Sequence, residues 1–239
     1  MSINRNYWDN VWEEDKAGTY SYIESRIERA LDKIGLFIQN GIEFKPNERV
    51  LEAGCGDGLI LLALMRLIKV NGYGVDFSEV AKKKAIKLMG QEENFFDYRI
   101  ADVEKLPFED NYFDKIISLG VIEHFNDPRK AIDELYRTLK PGGLVILMTP
   151  NKLSLGVLDR VIKEVFNKWQ FGYQTEYTPK QLSRLMEKGN FKTVKYFSNL
   201  RRGLENDTTS FKLISTTDQM VNVVNKNWGF YSYTIAEKI

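Results

Sequence analysis

A glycine-rich loop after a short apolar run is the clearest candidate for a binding or catalytic role in this sequence. Gly54, Gly56 and Gly58 occupy alternate positions, and a long apolar segment follows them directly. Glycines there let the backbone turn tightly and approach a ligand, at the positive end of the following helix. Nicotinamide-dinucleotide enzymes need a third glycine three positions after the second, but position 59 is leucine. The spacing therefore counts against a dehydrogenase, and the loop by itself is equally compatible with a structural turn.

Two acidic residues lie farther along the chain, each at the end of a predicted strand. Asp76 ends the second apolar run, where an acidic side chain of an open α/β sheet accepts hydrogen bonds from ribose hydroxyls. The alternative is a surface aspartate that caps the next helix, although Ser78 is better placed for capping. Asp102 follows the third run, where its carboxylate could accept from an exocyclic amine while the amide of Val103 donates to a ring nitrogen. Together Asp102 and Val103 would select adenine.

The single histidine of the chain, His124, lies in residues 121–128, directly after the fourth predicted strand. Ligands of open α/β sheets bind at this edge. An imidazole near its ordinary pKa can accept a hydroxyl proton at neutral pH. His124 is therefore our candidate for a catalytic base. The alternative is a packing residue at a helix end that shapes the cavity.

Short apolar runs that alternate with amphipathic segments must position these residues. Sheet strands are predicted over 49–53, 72–76, 98–100, 113–119 and 144–148, and helices over 21–39, 59–70, 78–88 and 129–139. Strands and helices that alternate at this spacing predict an α/β fold with a parallel sheet covered by helices on both faces. Residues 141–143, Pro-Gly-Gly, are expected to stop the last of these helices.

The pattern changes after the fifth strand. Residues 153–171 predict one extra amphipathic helix, and Thr178 with Pro179 begins another helix that ends at Gly189. Two final strands are predicted over 193–198 and 230–236, with a possible helix over 216–225 between them.

Length and composition limit the class of protein. The chain has 239 residues, 43% of them hydrophobic and 13% aromatic, which predicts one globular domain. Its 34 basic and 33 acidic residues leave a net charge of +1, which disfavours nucleic acid as a partner.

The single cysteine, Cys55, has no companion for a disulfide or for a zinc site, so we expect no metal and a reducing, cytoplasmic location. Polar residues interrupt the N-terminus, so no secretory signal is expected there. The best apolar stretch, 59–65, is far shorter than the roughly 20 residues that a membrane span needs.

Five motifs occur together in a recognisable order. They are E-x-G-x-G-x-G at 52–58, the acidic end of the second strand, D-x-x-x-L-P-F at 102–108, F-D-x-I at 113–116 and L-K-P-G-G at 139–143. In order and spacing this set resembles the class I S-adenosylmethionine-dependent methyltransferases over residues 50–150, with weaker agreement through the C-terminal strands. The E-H-x-x-D-P pattern at 123–128 resembles the branch of that family that acts on hydroxyls and amines of small molecules.

The resemblance implies a Rossmann-like seven-stranded sheet of order 3-2-1-4-5-7-6, with helices on both faces and only strand seven antiparallel. It also implies S-adenosyl-L-methionine as cofactor and S-adenosyl-L-homocysteine as product. By position, the glycine loop would border the methionine half, Asp76 the ribose, Phe77 the adenine face and Asp102 with Val103 the adenine edge. The floor beneath the sulfonium would be Leu119 and Gly120. The full set of cofactor-binding residues implied in this way is Glu52, Ala53, Gly54, Cys55, Gly56, Asp76, Phe77, Asp102, Val103, Leu119 and Gly120.

The acceptor is the open part of the prediction. The chain lacks the Asn/Asp-Pro-Pro-aromatic motif of enzymes that methylate amide or adenine nitrogens, a cysteine placed to attack cytosine, and the paired glutamates of arginine methyltransferases. We therefore expect a small-molecule acceptor, a metabolite or sugar methylated on oxygen or nitrogen. An RNA or protein methyltransferase is the alternative, and a non-catalytic cofactor-binding module is a third.

Three segments outside the motifs are expected to complete a single methyltransferase domain. Residues 1–40 would form an N-terminal helical lid, and the insertions 151–177 and 200–228 would contribute to the acceptor site. The lid and the first insertion are rich in aromatic side chains that could border a sulfonium, with ordinary helix packing as the alternative. These aromatic residues are Tyr7, Trp8, Trp12, Tyr20, Tyr22, Phe166, Trp169, Phe171 and Tyr173.

Overall fold

The structure is a computed structural model that describes residues 5–14, 20–89, 96–169, 172–200, 209–225 and 227–239. The strands are β1 (Arg49–Ala53), β2 (Asn71–Asp76), β3 (Asp97–Ile100), β4 (Phe113–Leu119), β5 (Leu139–Pro150), β6 (Phe191–Asn199) and β7 (Tyr231–Lys238). The α-helices are α1 (Arg5–Glu14), α2 (Tyr20–Gln39), α3 (Leu59–Ile68), α4 (Glu79–Met89), α5 (Arg129–Thr138), α6 (Gly156–Val165), α7 (Pro179–Lys188) and α8 (Thr209–Val224). A single 3-10 turn, Ile122–His124, follows β4.

The strands form one sheet of order β3-β2-β1-β4-β5-β7-β6 in the described residues. The pairs from β3 through β5 are parallel. Strand β7 pairs antiparallel with both β5 and β6. The predicted Rossmann-like order and the antiparallel seventh strand are therefore confirmed. Because β1 to β4 are parallel, their carboxyl ends meet at one edge, which is where ligands of open α/β sheets bind.

Helices cover both faces of the sheet because its central strands are apolar on both sides. On one face, Phe37 of α2 and Leu61 of α3 belong to a buried cluster that reaches Tyr233 of β7. On the other face, Leu135 of α5 and Met186 of α7 belong to a second buried cluster. Burial of each such large side chain contributes about 1.5–3 kcal/mol to folding.

Several helix boundaries follow local signals in the sequence. Helix α4 begins after Ser78, whose Oγ accepts a hydrogen bond from the Ala81 amide at 3.1 Å. Helix α7 begins with a capping box, in which Thr178 and Gln181 exchange side-chain and backbone hydrogen bonds. Both predicted starts are confirmed.

Other boundaries differ from the prediction. Helix α3 ends at Ile68 rather than residue 70, because Lys69 adopts φ +65° and closes the helix with its N–H on the Met65 carbonyl. Helix α6 covers only ten residues of the predicted 153–171 segment, and Asn167 just beyond it has φ +53°. The helix predicted over 216–225 begins earlier, at Thr209.

The role predicted for residues 141–143 is wrong. Helix α5 already ends at Thr138, and Leu139 adopts an extended conformation. The Pro-Gly-Gly sequence lies inside β5, where the register against β4 shifts, because Phe113 pairs with Leu139 and Lys115 with Leu144. The glycines therefore accommodate a bulge in a strand rather than the end of a helix.

Helix α1 lies within residues 1–40, which we expected to form a helical lid, although the sequence did not predict its bounds. In the described part of the chain, no helix combines the length and the apolar character that crossing a membrane requires.

Candidate functional site

The glycine-rich loop joins β1 to α3 and is held in a backbone conformation that other residues rarely adopt. Gly54, Gly56 and Gly58 all have positive φ angles, of +79°, +53° and +71°. The amides of Gly54 and Cys55 both donate to the Val75 carbonyl, at 2.7 and 2.9 Å. A Cβ on Gly54 would lie 2.3 Å from Val121 Cγ2. The loop therefore needs glycine for its conformation and for the close approach of the neighbouring chain.

Asp76, at the end of β2, fixes this loop from the next strand. Its Oδ2 accepts from the Gly56 amide and its Oδ1 from the Ser78 amide, both at 2.9 Å. The Tyr98 hydroxyl donates to the Gly56 carbonyl at 2.8 Å. Burial raises the pKa of Asp76, and hydrogen bonds from the Ser78, Gly56 and Phe77 amides act against that shift. A carboxylate can accept about four hydrogen bonds, so Asp76 can hold the loop and still bind a ligand.

A cavity of about 280 Å³ opens at the carboxyl ends of β1, β2 and β4. It brings together most of the predicted site residues, which come from four separate segments of the chain. The predicted site residues that line it are Gly54, Gly56, Asp76, Phe77, Asp102, Val103, Leu119, Gly120 and His124. Of the residues we had not proposed for the site, Val121 and Phe125 also line it. Their position next to His124, after β4, is the signal that could have identified them.

Glu52, Ala53 and Cys55, also predicted to border the cofactor, do not line this cavity but lie buried beneath the loop. Burial raises the pKa of Glu52 to about 8, with Lys33 acting in the opposite direction. Burial likewise raises the pKa of the Cys55 thiol, which keeps it protonated and unsuited to nucleophilic attack. These residues shape the loop from below.

Two tryptophans of α1 form the outer wall of the cavity. Trp8 and Trp12 both line it, and a Cβ on Gly56 would lie 2.5 Å from the Trp12 ring. Helix α1 is tied to α4, since the Ser78 hydroxyl donates to Asp9 at 2.5 Å and the Lys84 ammonium donates to the Trp12 carbonyl. The helix therefore closes over the loop.

His124 contacts the cavity from the 3-10 turn, half-buried against α1 and the segment 172–177. Its ring meets Trp8 edge to face, with centroids 4.8 Å apart. Its Nδ1 lies 2.8 Å from the Tyr173 carbonyl oxygen. Because a carbonyl only accepts, Nδ1 must carry the proton, which leaves Nε2 of the neutral ring as a proton acceptor. Burial lowers the pKa of His124, so the neutral ring predominates at pH 7.

The two insertions are only partly described. The 170–171 segment, which includes Phe171, and residues 201–208 and 226 lie outside the described residues, as do the side chains of Tyr7, Tyr20 and Tyr22. Phe166 is exposed, and Tyr173 reaches the site through its carbonyl. Among the described residues no group of three or more His, Cys, Asp or Glu side chains could hold a metal ion.

Comparison with known proteins shows what this arrangement resembles. Residues 51–147 match a family model described as a methyltransferase domain. An uncharacterized methyltransferase of Schizosaccharomyces pombe is 34% identical over 118 residues, which cover 46% of this chain and 42% of that protein. A tRNA U34 carboxymethyltransferase of Nautilia profundicola is 30% identical over 161 residues, 66% of this chain and 52% of that protein.

A ubiquinone biosynthesis O-methyltransferase of Coxiella burnetii is 29% identical over 163 residues, which cover 66% of this chain and 69% of that protein. This chain spans less than half the length of several other curated relatives. Among solved structures, a Haloferax volcanii methyltransferase in complex with the activator Trm112 has a TM-score of 0.70 at 17% identity, with 99% of both chains covered. That likeness concerns the fold.

Proposed function

We propose that this chain, whose residues 51–147 match the methyltransferase-domain family, is a class I S-adenosylmethionine-dependent methyltransferase that methylates an oxygen or nitrogen of a small metabolite or sugar. The observation that carries the proposal is the single cavity that joins the glycine loop, Asp76, Asp102 and His124. The residues of the proposed cofactor site and the candidate base thus line the same cavity.

The residues present fit the cofactor. Asp76 presents a carboxyl with free acceptor capacity to the cavity, where ribose hydroxyls would donate to it. Phe77, Asp102 and Val103 line the same side, and are our candidates for holding adenine. The glycine loop offers a backbone surface without side chains, suited to the methionine half, with Leu119 and Gly120 beneath the sulfonium. Glu52, Ala53 and Cys55 would act on the cofactor through the loop they support.

When bound, the cofactor supplies a methyl group on a sulfonium that is already activated for displacement. The protein then has to align the acceptor, exclude water and accept one proton. Nε2 of His124 is the acceptor for that proton, since Tyr173 fixes the proton on Nδ1. Helix α1, with Trp8 and Trp12, excludes water from the cavity as a lid. Residues 172–177 hold the turn that carries His124, through the Tyr173 carbonyl and the Thr175 amide.

The wall of the cavity supports a small acceptor. Trp8 and Trp12 of α1 cover the cavity that would also hold the cofactor, and an enclosed aromatic wall suits a metabolite rather than a polymer. The net charge of +1 gives no general attraction to polyanions. RNA is the second candidate, supported by the resemblance to the tRNA enzyme of Nautilia profundicola.

Titration calorimetry with S-adenosylhomocysteine tests the cofactor half of the proposal. We expect binding to the native chain and at least tenfold weaker binding to Asp76→Ala, because charge-assisted hydrogen bonds to the ribose and the anchor of the loop are both lost. Asp133→Ala is the matched control, since Asp133 is an exposed aspartate on α5, away from the cavity, and pairs along its own helix with Arg129. No binding to the native chain, or equal binding to Asp76→Ala, would contradict the proposal.

A further inference from the structure

Glu123 is a buried acid that the proposed reaction does not use. It lies in the same 3-10 turn as His124 and is only 2% exposed. Its Oε2 has no hydrogen-bond partner among the described residues. An unpartnered carboxyl oxygen in a protein interior is costly, so its retention calls for an explanation.

The carboxyl of Glu123 has no compensating cation in the described part of the chain. The charged side chain that acts on it is a second acid, Glu176. Arg160, the cation that faces Glu176, is already engaged by Glu164, at 2.6 Å, and by Glu176, whose Oε2 is 3.1 Å from Nη2. Burial accordingly raises the pKa of Glu123 to about 8. The described residues therefore offer this carboxyl no countercharge, and it stays mostly protonated at pH 7.

The carboxyl adjoins the cavity at Gly120. Gly120 lines the cavity, has φ +74° and carries no side chain to separate the two. A Cβ built on Gly120 would lie 3.6 Å from Glu123 Oε1, with no other described heavy atom within 4 Å. Glu123 itself does not line the cavity, but a ligand group that replaced the missing side chain of Gly120 would lie next to Oε1 of the carboxyl whose other oxygen, Oε2, has no partner.

The surroundings of this point favour a cation. Trp8, Phe77 and Phe125 line the same cavity, and aromatic faces attract cationic groups. An ammonium group would supply both a hydrogen-bond donor and the countercharge that lets the carboxyl ionise, whereas a hydroxyl would meet the neutral acid and gain a hydrogen bond without an ion pair. The turn is also held rigidly, because the Thr175 amide donates to the Glu123 carbonyl at 2.8 Å.

We propose that Glu123 is a specificity-determining residue that binds a protonated amine of the acceptor beside Gly120, so that the acceptor is a cationic, amine-bearing small molecule. This inference rests on the proposed function and narrows its substrate class. The amine that Glu123 binds is a recognition group, and the geometry leaves the base function to His124.

The test compares phenethylamine with phenethyl alcohol, which have similar shapes but differ in charge. Both are titrated calorimetrically into the full chain loaded with S-adenosylhomocysteine. We expect the amine to bind the native chain at least tenfold more tightly than the alcohol, and Glu123→Gln to bind the two about equally. Glu109→Gln, which removes an exposed acid, is the matched control and should keep the preference.

A second measurement distinguishes a role of Glu123 in recognising the amine from a role in packing. A mostly protonated Glu123 must ionise when it pairs with an ammonium, so amine binding at pH 7 should release a proton. Titrations in phosphate and in Tris, which differ in ionisation enthalpy, measure that release. It should be absent in Glu123→Gln, whose thermal midpoint shows whether the variant is folded.

Three results would overturn the inference: equal or tighter binding of the alcohol, an amine preference that survives in Glu123→Gln, or no amine binding at all. Titration of S-adenosylhomocysteine alone tests the proposed function separately from the role of Glu123. The amine titrations are repeated without S-adenosylhomocysteine, so the role of Glu123 is decided even if the cofactor does not bind.

Discussion

At the scale of single residues, His124 is held by contacts from three different parts of the chain. The 3-10 turn after β4 provides its backbone, Trp8 of α1 packs on its ring, and the Tyr173 carbonyl takes its Nδ1 proton. These contacts fix the ring orientation and the tautomer before an acceptor binds. A base that is positioned in this way needs no rearrangement to accept a proton.

We predict that His124→Ala lowers turnover by about a hundredfold, the usual scale for the loss of a general base, without change in the affinity for S-adenosylhomocysteine. Because burial lowers the pKa of His124 from 6.5, protonation of this base should lower kcat only as the pH falls below 6.5, whereas kcat/KM also follows the ionisation of Glu123. The measurement is the pH profile of both proteins once an acceptor is known. Equal turnover by the native chain and His124→Ala would show that His124 is a packing residue rather than the base.

At the scale of elements, the β1–α3 loop depends on what packs against it as well as on its own glycines. Gly54 and Gly41 both have positive φ angles, of +79° and +93°. A Cβ on Gly54 would meet Val121, whereas a Cβ on Gly41 would meet nothing within 4 Å. A comparison of alanine variants at the two positions therefore distinguishes the cost of backbone strain from the cost of displacing a neighbouring side chain.

We predict that Gly54→Ala and Gly41→Ala each lose about 1–2 kcal/mol of unfolding free energy through backbone strain. Gly54→Ala should lose more, and should also weaken S-adenosylhomocysteine binding at least tenfold, because the loop or the turn after β4 must move. Urea unfolding and calorimetry measure the two effects. A Gly54→Ala variant with native affinity would show that the ligand does not depend on this loop conformation.

At the scale of the whole molecule, the balanced charge bears on the second substrate. The 34 basic and 33 acidic residues produce no overall positive field, and many of the described cations are paired with acids. A protein that tracked nucleic-acid phosphates would need a contiguous surplus of free Lys and Arg.

We predict that the S-adenosylhomocysteine-loaded chain binds bulk tRNA only weakly at physiological salt, with a shallow dependence on salt concentration, because few phosphates would be neutralised. Fluorescence anisotropy of labelled tRNA at several salt concentrations measures both. Tight binding with a steep salt dependence would favour the RNA candidate over a small metabolite.

The sequence alone determined the succession of strands and helices along the chain. It also determined the glycine loop, the acidic residues at the strand ends and the position of His124. These features are local, because hydrophobic period, turn glycines and helix caps depend on residues only a few positions apart. The strand order came from the resemblance of the motifs, and the sheet of the structure agrees with it.

Only the tertiary structure decided which of these residues share a cavity. It buried Glu52 and Cys55 beneath the loop and brought the Tyr98 hydroxyl to the Gly56 carbonyl. It also packed Trp8 against His124. Beside Gly120, it left one oxygen of the Glu123 carboxyl without a hydrogen-bond partner. It also turned Pro141-Gly142-Gly143 from a helix stop into a strand bulge, because pairing with β4 outweighed the local signal. The reason in each case is that burial, ion pairing and strand register arise from segments far apart in the chain, which no local pattern records.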